Sequence, residues 1–404
     1  MSDFVHIARQ SIISSDSAVY GYEVLYRNQD GVVDLSLTER TLTANVILSV
    51  FNLIGRERSV GEHIAFFNVD QAILLTDIIE ALPKDQCIFE LNSYSSFGTK
   101  ELENIQNLHS LGYRFALDNF IVTDQNLDKY AKLLRYITYI KIDVQSNDVE
   151  LVADKFNSLK QAYKLIAHKV ETKIEFDTYK QMGFDYFQGF YIQYPVAIKH
   201  YKMQPRHLGL TRLFKLIHDV PIQEFAKEFE RHNELCIQFF QYIISTGMYR
   251  YNASNSVRDV IVEAGVEMIE RWMMLIVYAK GSHKIDDKRG ALSLFFIRRL
   301  DLMNTIVSNV HIDNRKKLSD ELKLLAIFSI LRDIYKVPFD SILDSFELDE
   351  NLELWLIIHK GRFELIYKAL KMLETKEIDE HKLNSYLLPF KINYQELKQK
   401  LPDL

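Results

Sequence analysis

The sequence predicts an α/β barrel followed by an all-helical domain. Three observations carry this expectation. Short apolar runs alternate with helical stretches through the first half, which implies parallel strands joined by crossover helices. Most runs end on or near a polar residue, the pattern of a TIM-like (β/α) barrel whose site is built at the C-terminal strand ends. Strand signals then stop near residue 200 and helical periodicity takes over. The expected fold class is α/β plus all-α, with domains at 1–200 and 201–404; a chain of 404 residues is long for one domain.

Phe4-Val5-His6-Ile7-Ala8 and residues 18–26 read as strands joined by the polar turn Ser14-Ser15-Asp16-Ser17. So tight a turn makes them antiparallel, a departure from a regular eightfold repeat. An amphipathic helix is expected over 39–53. Strands follow at Ile64-Ala65-Phe66-Phe67-Asn68, Cys87-Ile88-Phe89-Glu90-Leu91, Arg114-Phe115-Ala116-Leu117-Asp118, Tyr139-Ile140-Lys141-Ile142-Asp143, Lys164-Leu165-Ile166-Ala167 and Tyr186-Phe187-Gln188. Helices over 100–111 and 150–161 lie between them. Residues 194–205, with Pro195, Pro205 and several basic side chains, suit a connector. Beyond it, helices are expected at 208–217, 221–229, 234–244, 256–263, 266–280, 288–308, 317–335, 340–346, 352–358, 363–374 and 394–401. No repeat of solenoid period stands out.

Hydrophobic residues make up 48% and charged residues 26%, enough for a core in each half. The net charge of −6 argues against a nucleic-acid sheath. Cys87 and Cys236 stand far apart among apolar residues and read as buried free thiols of a reducing cytoplasm. No apolar signal core or membrane-length run is present, so a cytoplasmic protein is expected.

The chemistry lies at the strand ends. Glu23, Asn68, Glu90 and Asp118 are oxygen donors of the kind that hard divalent cations such as Mg²⁺ or Mn²⁺ prefer. Lys141 suits a phosphate or a nucleophilic water, and Glu171 adds another carboxylate. Such a set fits phosphodiester hydrolysis. Any one of these residues alone is more often structural, since barrel mouths are polar. The ordered series, one polar residue per strand, outweighs that reading.

This order and spacing resembles the EAL family, the cyclic-di-GMP phosphodiesterases of bacteria. Glu23-Val24-Leu25 with Arg27 stands where that family has Glu-Ala-Leu-x-Arg. Asn68 in Phe-Asn-Val-Asp, Glu90 in Phe-Glu-Leu and Asp118 match its metal ligands. Lys141-Ile142-Asp143 matches its Lys-Ile-Asp segment, and Glu171 in Val-Glu-Thr its last glutamate. Gln188-Gly189 followed by Pro195 matches its closing Gln-Gly-x5-Pro. The resemblance implies Glu23, Asn68, Glu90 and Asp118 as metal ligands and Lys141 and Glu171 as catalytic groups. It implies Arg27, Asp143 and Gln188 as ligand-binding residues.

Departures from the pattern are informative. The family's second aspartate is Asn119 here. Its mobile Phe-Gly-Thr-Gly loop is replaced by Phe120-Ile121-Val122-Thr123-Asp124. The glutamate that anchors that loop is Ser93, and the Glu-Gly before the last Val-Glu is His168-Lys169. A stray histidine at a strand end is more often hydrogen-bonded than basic. A two-metal mechanism needs ions about 4 Å apart, so one cation site rather than two is expected, with weak or no hydrolysis.

In the second half, His218-Asp219 invites a metal-phosphohydrolase reading, but Asp219-Val220-Pro221 reads better as a capping acid before a first-turn proline. The half resembles the HDOD family of helical output domains through Leu213-Phe214-Lys215-Leu216-Ile217 and Asp219-Val220-Pro221. Further likenesses are Ile243-Ile244-Ser245 with Met248-Tyr249, Ser256-Val257-Arg258-Asp259-Val260-Ile261, Gly265, Arg271-Trp272, residues 325–331 and Pro338. That implies a non-catalytic module binding a protein partner. Trp272, Phe295, Phe296 and Trp355 read as core, and Arg298-Arg299 with Arg315-Lys316-Lys317 as solvated surface.

Three functions compete. The leading one is a bacterial signalling protein whose degenerate barrel senses cyclic-di-GMP and whose helical domain relays the state. The second is an active, metal-dependent phosphodiesterase. The third is an adaptor that binds no nucleotide. The resemblance also leaves room for a homodimer.

Overall fold

The computed structural model describes residues 4–27, 38–201 and 207–280 apart from 249 and 253–255, and then stretches between 321 and 395. The expected helix over 288–308, with Phe295, Phe296, Arg298 and Arg299, lies outside the described residues, as do Arg315, Lys316 and Lys317. The chain divides into two compact units, Met1–His200 with Met274–His283, and Tyr201–Met273 with Lys284–Leu404.

In the first unit the strands are β1 (Phe4–Ser14), β2 (Val19–Tyr26), β3 (Ile64–Asn68), β4 (Cys87–Asn92), β5 (Arg114–Phe120), β6 (Ile137–Asp143), β7 (Lys164–His168), β8 (Tyr186–Gln188) and β9 (Val196–Tyr201). Strands β2 to β8 pair in sequence, all parallel. Strand β1 lies antiparallel between β8 and β2 and closes an eight-stranded barrel. The expected antiparallel opening is therefore present. The expected connector 194–205 is corrected, since it contains β9, which lies alongside β1. Val196, Ala197 and Ile198 directly follow Pro195, and this apolar run suits a strand edge.

Amphipathic helices cover the outside. Thr38 caps Glu39–Leu48 by accepting from the Thr41 N–H, and the chain continues as one wide π turn, Ser49–Leu53. Helix Thr99–Ser110 buries Ile105 and Leu108, and helix Val149–Ala162 buries Val152 and Leu159.

The barrel interior is layered. Ile12, Phe66, Ile88, Ala116, Tyr139 and Ile166 form one buried cluster supplied by six strands, with Tyr20, Ile64 and Tyr186 packed against it. Gly21 belongs to this level because a Cβ there would stand 2.7 Å from the Ile64 carbonyl and 2.9 Å from the Phe66 ring. Side chains alternate faces along a strand, so the residue two positions on points inward again. Two steps from this apolar layer come Gln10, Glu23, Asn68, Glu90, Asp118, Lys141, His168 and Gln188. The polar mouth is the next layer of the same barrel.

The second unit, by itself, is mainly helical: His207–Leu216, Ile222–Phe229, Asn233–Thr246, Val257–Lys280 as far as Met273, Phe339–Ser345, Glu350–Ile358, Glu364–Leu373 and Glu380–Leu387. Gly265, at φ 78° and ψ 165°, breaks Val257–Lys280 where two helices are expected. Trp272 and Trp355 are fully buried core residues, with Trp272 edge-on to Phe239 at 5.0 Å. Two corrections arise. A short parallel pair, Tyr251–Asn252 with Phe346–Glu347, interrupts the all-α expectation, and two residues are too few to leave a periodic signal. Asp219 does not cap the next helix: Pro221 holds the cap position without a side-chain bond, and His218 Nε2 lies 3.0 Å from Glu270 Oε1.

Candidate functional site

Lys141 stands at the centre of the barrel mouth and is fully buried. Its Nζ donates to Glu23 Oε2 at 2.9 Å and Glu90 Oε1 at 2.8 Å, and lies 3.5 Å from Asp118 Oδ1. Pairing places these side chains in one ring. Asn68 is opposite Glu90, Gln10 is opposite Glu23, and His168 is opposite Gln188.

Amides orient the first carboxylate. Asn68 Nδ2 donates to Glu23 Oε1 at 2.9 Å, and Gln188 Nε2 to Glu23 Oε2 at 2.6 Å. Gln188 Nε2 also donates to Gln10 Oε1 at 3.0 Å, and Gln10 Nε2 to the Gln193 carbonyl at 2.9 Å. Gln10 is absent from the sequence-based site. Its signal is its place two residues before core Ile12 on an antiparallel strand.

Burial disfavours Lys141's charge, but Asp118, Glu23 and Glu90 outweigh it and raise the group, so it stays an ammonium. Burial also pushes the carboxyls up. At Glu23 the Lys141 charge reverses the shift, and at Asp118 Lys141 and His168 together do so, leaving both lowered. Glu90 stays well raised because burial and the Glu23 charge prevail over Lys141.

The departures from the expected pattern have structural counterparts. Asn119 takes a left-handed conformation, φ 54°, and its Nδ2 donates to Asp118 Oδ2 at 2.7 Å. Ser93 Oγ holds the Asn119 carbonyl at 2.7 Å, and Ser93 N–H the Asp118 carbonyl at 2.9 Å. The segment after Asn119 is tied down. Phe120 and Val122 are buried, and the Val122 N–H donates to Asn147 Oδ1 at 2.6 Å. Asn147 Nδ2 donates to the Phe120 carbonyl at 2.9 Å, Asn126 Nδ2 donates to the Ile121 carbonyl at 2.8 Å, and Thr123 caps the following helix.

Not every expected residue joins the ring. Asp143 lies two residues beyond Lys141 and serves its own loop, accepting from Gln145 N at 2.9 Å, Ser146 N at 3.2 Å and Lys169 Nζ at 2.6 Å. Glu171 is exposed; its backbone N–H donates to Glu175 Oε2, and its carboxylate bonds to none of the ring residues. Arg27 follows β2 and donates to the Tyr26 carbonyl at 2.7 Å. His168, expected as a stray, lies with Nδ1 3.2 Å from Asp118 Oδ1.

The donor set can be tested against a divalent cation. With Glu90 raised, Glu23 and Asp118 leave one negative charge beyond the Lys141 ammonium; ionising Glu90 as well would bring the surplus to two, the charge of one divalent ion. Glu90 Oε2 is buried without a hydrogen-bond partner, an open position for such an ion. The charge balance and this open oxygen are compatible with one cation. Among the described residues, no group of three or more His, Cys, Asp or Glu side chains is gathered into a metal-binding cage.

Residues 5–195 match the family model described as EAL domain. This stretch of the chain is an EAL domain. Across 98% of this chain and 90% of the relative, the sequence is 21% identical to Cyclic di-GMP phosphodiesterase CdgJ of Vibrio cholerae serotype O1. It is 22% identical to Uncharacterized protein YuxH of Bacillus subtilis (strain 168), over 93% of this chain and 92% of that one. Among solved structures, the EAL part resembles Klebsiella pneumoniae BlrP1 in a calcium/cy-diGMP complex, with 19% identity and a TM-score of 0.41 over 50% of this chain and 58% of BlrP1. It also resembles the FimX EAL domain from Pseudomonas aeruginosa bound to c-di-GMP, with 22% identity and a TM-score of 0.37 over 48% of this chain and 91% of that one.

Proposed function

We propose that the EAL domain binds cyclic-di-GMP with no more than one divalent cation, Mg²⁺ or Mn²⁺, and hydrolyses it weakly or not at all. The observation that carries this reading is the placing of Asn119. A neutral amide occupies the position next to Asp118 and spends its N–H on Asp118 Oδ2. The mouth then lacks the negative charge for a second ion, and the pinned segment 120–124 supports the same conclusion. In this reading Glu23, Asn68, Glu90 and Asp118 hold the cation. A bound cation neutralises phosphate charge and polarises water. Lys141 keeps the carboxylates together, Gln188 orients Glu23, and Arg27 offers a guanidinium to a phosphate. Asp143 supports the mouth through its loop.

The second unit is proposed as an HDOD-like module that passes the bound state to a protein partner. Its support is the run of motif residues from Leu213 to Trp272 and the helices that carry them. No described helix is long and apolar enough to cross a membrane.

Two observations favour hydrolysis instead: Glu23, Glu90, Asp118, Lys141 and Gln188 converge, and a relative similar along nearly the whole chain is named a phosphodiesterase. That reaction would use Lys141 to orient water and Glu171, whose carboxylate would have to turn inward. Purified protein with cyclic-di-GMP and Mg²⁺ or Mn²⁺ separates the readings when binding is followed by calorimetry and product by chromatography. Binding with intact dinucleotide supports the first. Linear product whose formation is lost in Glu23→Ala supports the second.

A further inference from the structure

Helix Glu39–Leu48 is gripped on two faces by polar side chains two residues apart. Thr43 Oγ1 donates to the Asn68 carbonyl at 2.8 Å. Asn45 Nδ2 donates to the Ala279 carbonyl at 2.6 Å and to the Thr41 carbonyl, one turn back, at 2.7 Å. Two residues turn an α-helix by about 200°, so the two grips point nearly opposite ways. The first holds the end of β3, where the Asn68 amide meets Glu23 at 2.9 Å. The second holds the last turn of helix Val257–Lys280, whose closing carbonyls have no partner within that helix. Segment 274–280 belongs to the first unit, and the same helix as far as Met273 belongs to the second. Thr43 and Ala279 are both buried, so a bond lost at either end is costly.

We infer that helix Glu39–Leu48 is a relay: a ligand at Asn68 shifts it through Thr43, and Asn45 passes the shift to helix Val257–Lys280. The inference rests on the proposed binding of cyclic-di-GMP and names the element that carries the bound state away from the mouth. Asn68 is exposed while Glu23, Glu90, Asp118 and Lys141 are buried, so an arriving ligand meets it first. A ligand that takes the Asn68 amide ends its bond to Glu23 and moves the strand end that Thr43 holds. The π turn Ser49–Leu53 gives the helix room to follow, because so wide a turn can tighten to α geometry. Ser49 Oγ donates to the Asn45 carbonyl at 2.5 Å and ties that turn to the gripping residue. A relay needs an element of this kind, with two arrangements biased from both ends.

The test uses the full chain at saturating cyclic-di-GMP with Mn²⁺, with binding checked by calorimetry and amide hydrogen exchange of segment 274–280 read by mass spectrometry. In the unaltered protein, the nucleotide should change exchange in this segment by about fivefold or more. Thr43→Val and Asn45→Leu should still bind nucleotide and lose that response. Thr43 does not touch segment 274–280, so its exchange without nucleotide should stay as in the unaltered protein. If Asn45 only satisfied a stray carbonyl, Asn45→Leu would raise exchange equally with and without nucleotide and keep the response. A response kept in both variants overturns the inference. So does a segment that ignores nucleotide shown by calorimetry to be bound, and in that case the binding proposal stands. If the unaltered protein binds no nucleotide, the binding proposal falls and the inference falls with it.

Discussion

The Lys141 ammonium lies 2.8 Å from Glu90 Oε1 with both side chains fully out of water. This contact explains how three carboxylates converge inside a barrel. Each would repel the others in a medium of low dielectric, and the lysine charge holds them together. The same contact makes Lys141 a structural keystone as well as a functional candidate.

Replacing Lys141 by methionine keeps its length and removes its charge. Lys141→Met should lose about 3–5 kcal/mol at neutral pH, the cost of leaving buried charges unpaired. Urea unfolding of the two proteins measures it. A loss below about 1 kcal/mol would mean the carboxyls are neutral without the lysine.

Gly189 closes the strand that carries Gln188. A Cβ there would stand 2.1 Å from the Val170 carbonyl oxygen and 2.3 Å from its nitrogen. Both atoms are backbone, so the contact cannot be relieved by a rotamer change. Gly189→Ala should cost at least about 1–3 kcal/mol, the range for overpacking. A thermal melt unchanged from the unaltered protein would contradict the close approach of these segments.

Asp185 gives a pH test away from the mouth. Burial pushes its carboxyl up, but bonds from Lys160 at 2.6 Å and the Leu165 N–H at 2.9 Å more than reverse this and hold it lowered. A lowered carboxyl stabilises the fold above its unfolded value of about 3.9, and the effect fades as pH falls through the folded value. Asp185→Asn should therefore be less stable at pH 7 by about 1 kcal/mol, with the gap closing in acid. An equal gap at both ends would assign the effect to shape instead of charge.

The barrel was legible because its signals are local. Runs such as Ile64–Asn68 and Tyr186–Gln188 are short, apolar and bounded, and each reappears as a strand. Glu23, Glu90, Asp118, Lys141 and Gln188 were legible because strand ends of a barrel meet in space. What escaped depended on register and orientation. Gln10 joins the ring only because β1 runs antiparallel, and Glu171 misses it because the segment after β7 turns its carboxylate to solvent. Asp219 failed as a cap because Pro221 itself takes the cap position. Strand β9 hid among connector residues, since Pro195 and the basic side chains masked a short apolar run.

Restoring an acid beside Asp118 should move the site toward hydrolysis. Asn119→Asp adds the missing charge, and calorimetric Mn²⁺ stoichiometry should rise from one ion toward two. Cleavage of cyclic-di-GMP should rise with it, by about tenfold or more if a second ion begins to share the attacking water. An unchanged stoichiometry would place the deficit in the pinned segment 120–124 instead of in Asn119.

The most direct measurement is the fate of cyclic-di-GMP held by the unaltered protein with Mn²⁺ in excess. The account predicts saturable binding, with the dinucleotide recovered cyclic after prolonged incubation. Rapid conversion to the linear form by the unaltered protein, abolished in Glu23→Ala, would contradict it.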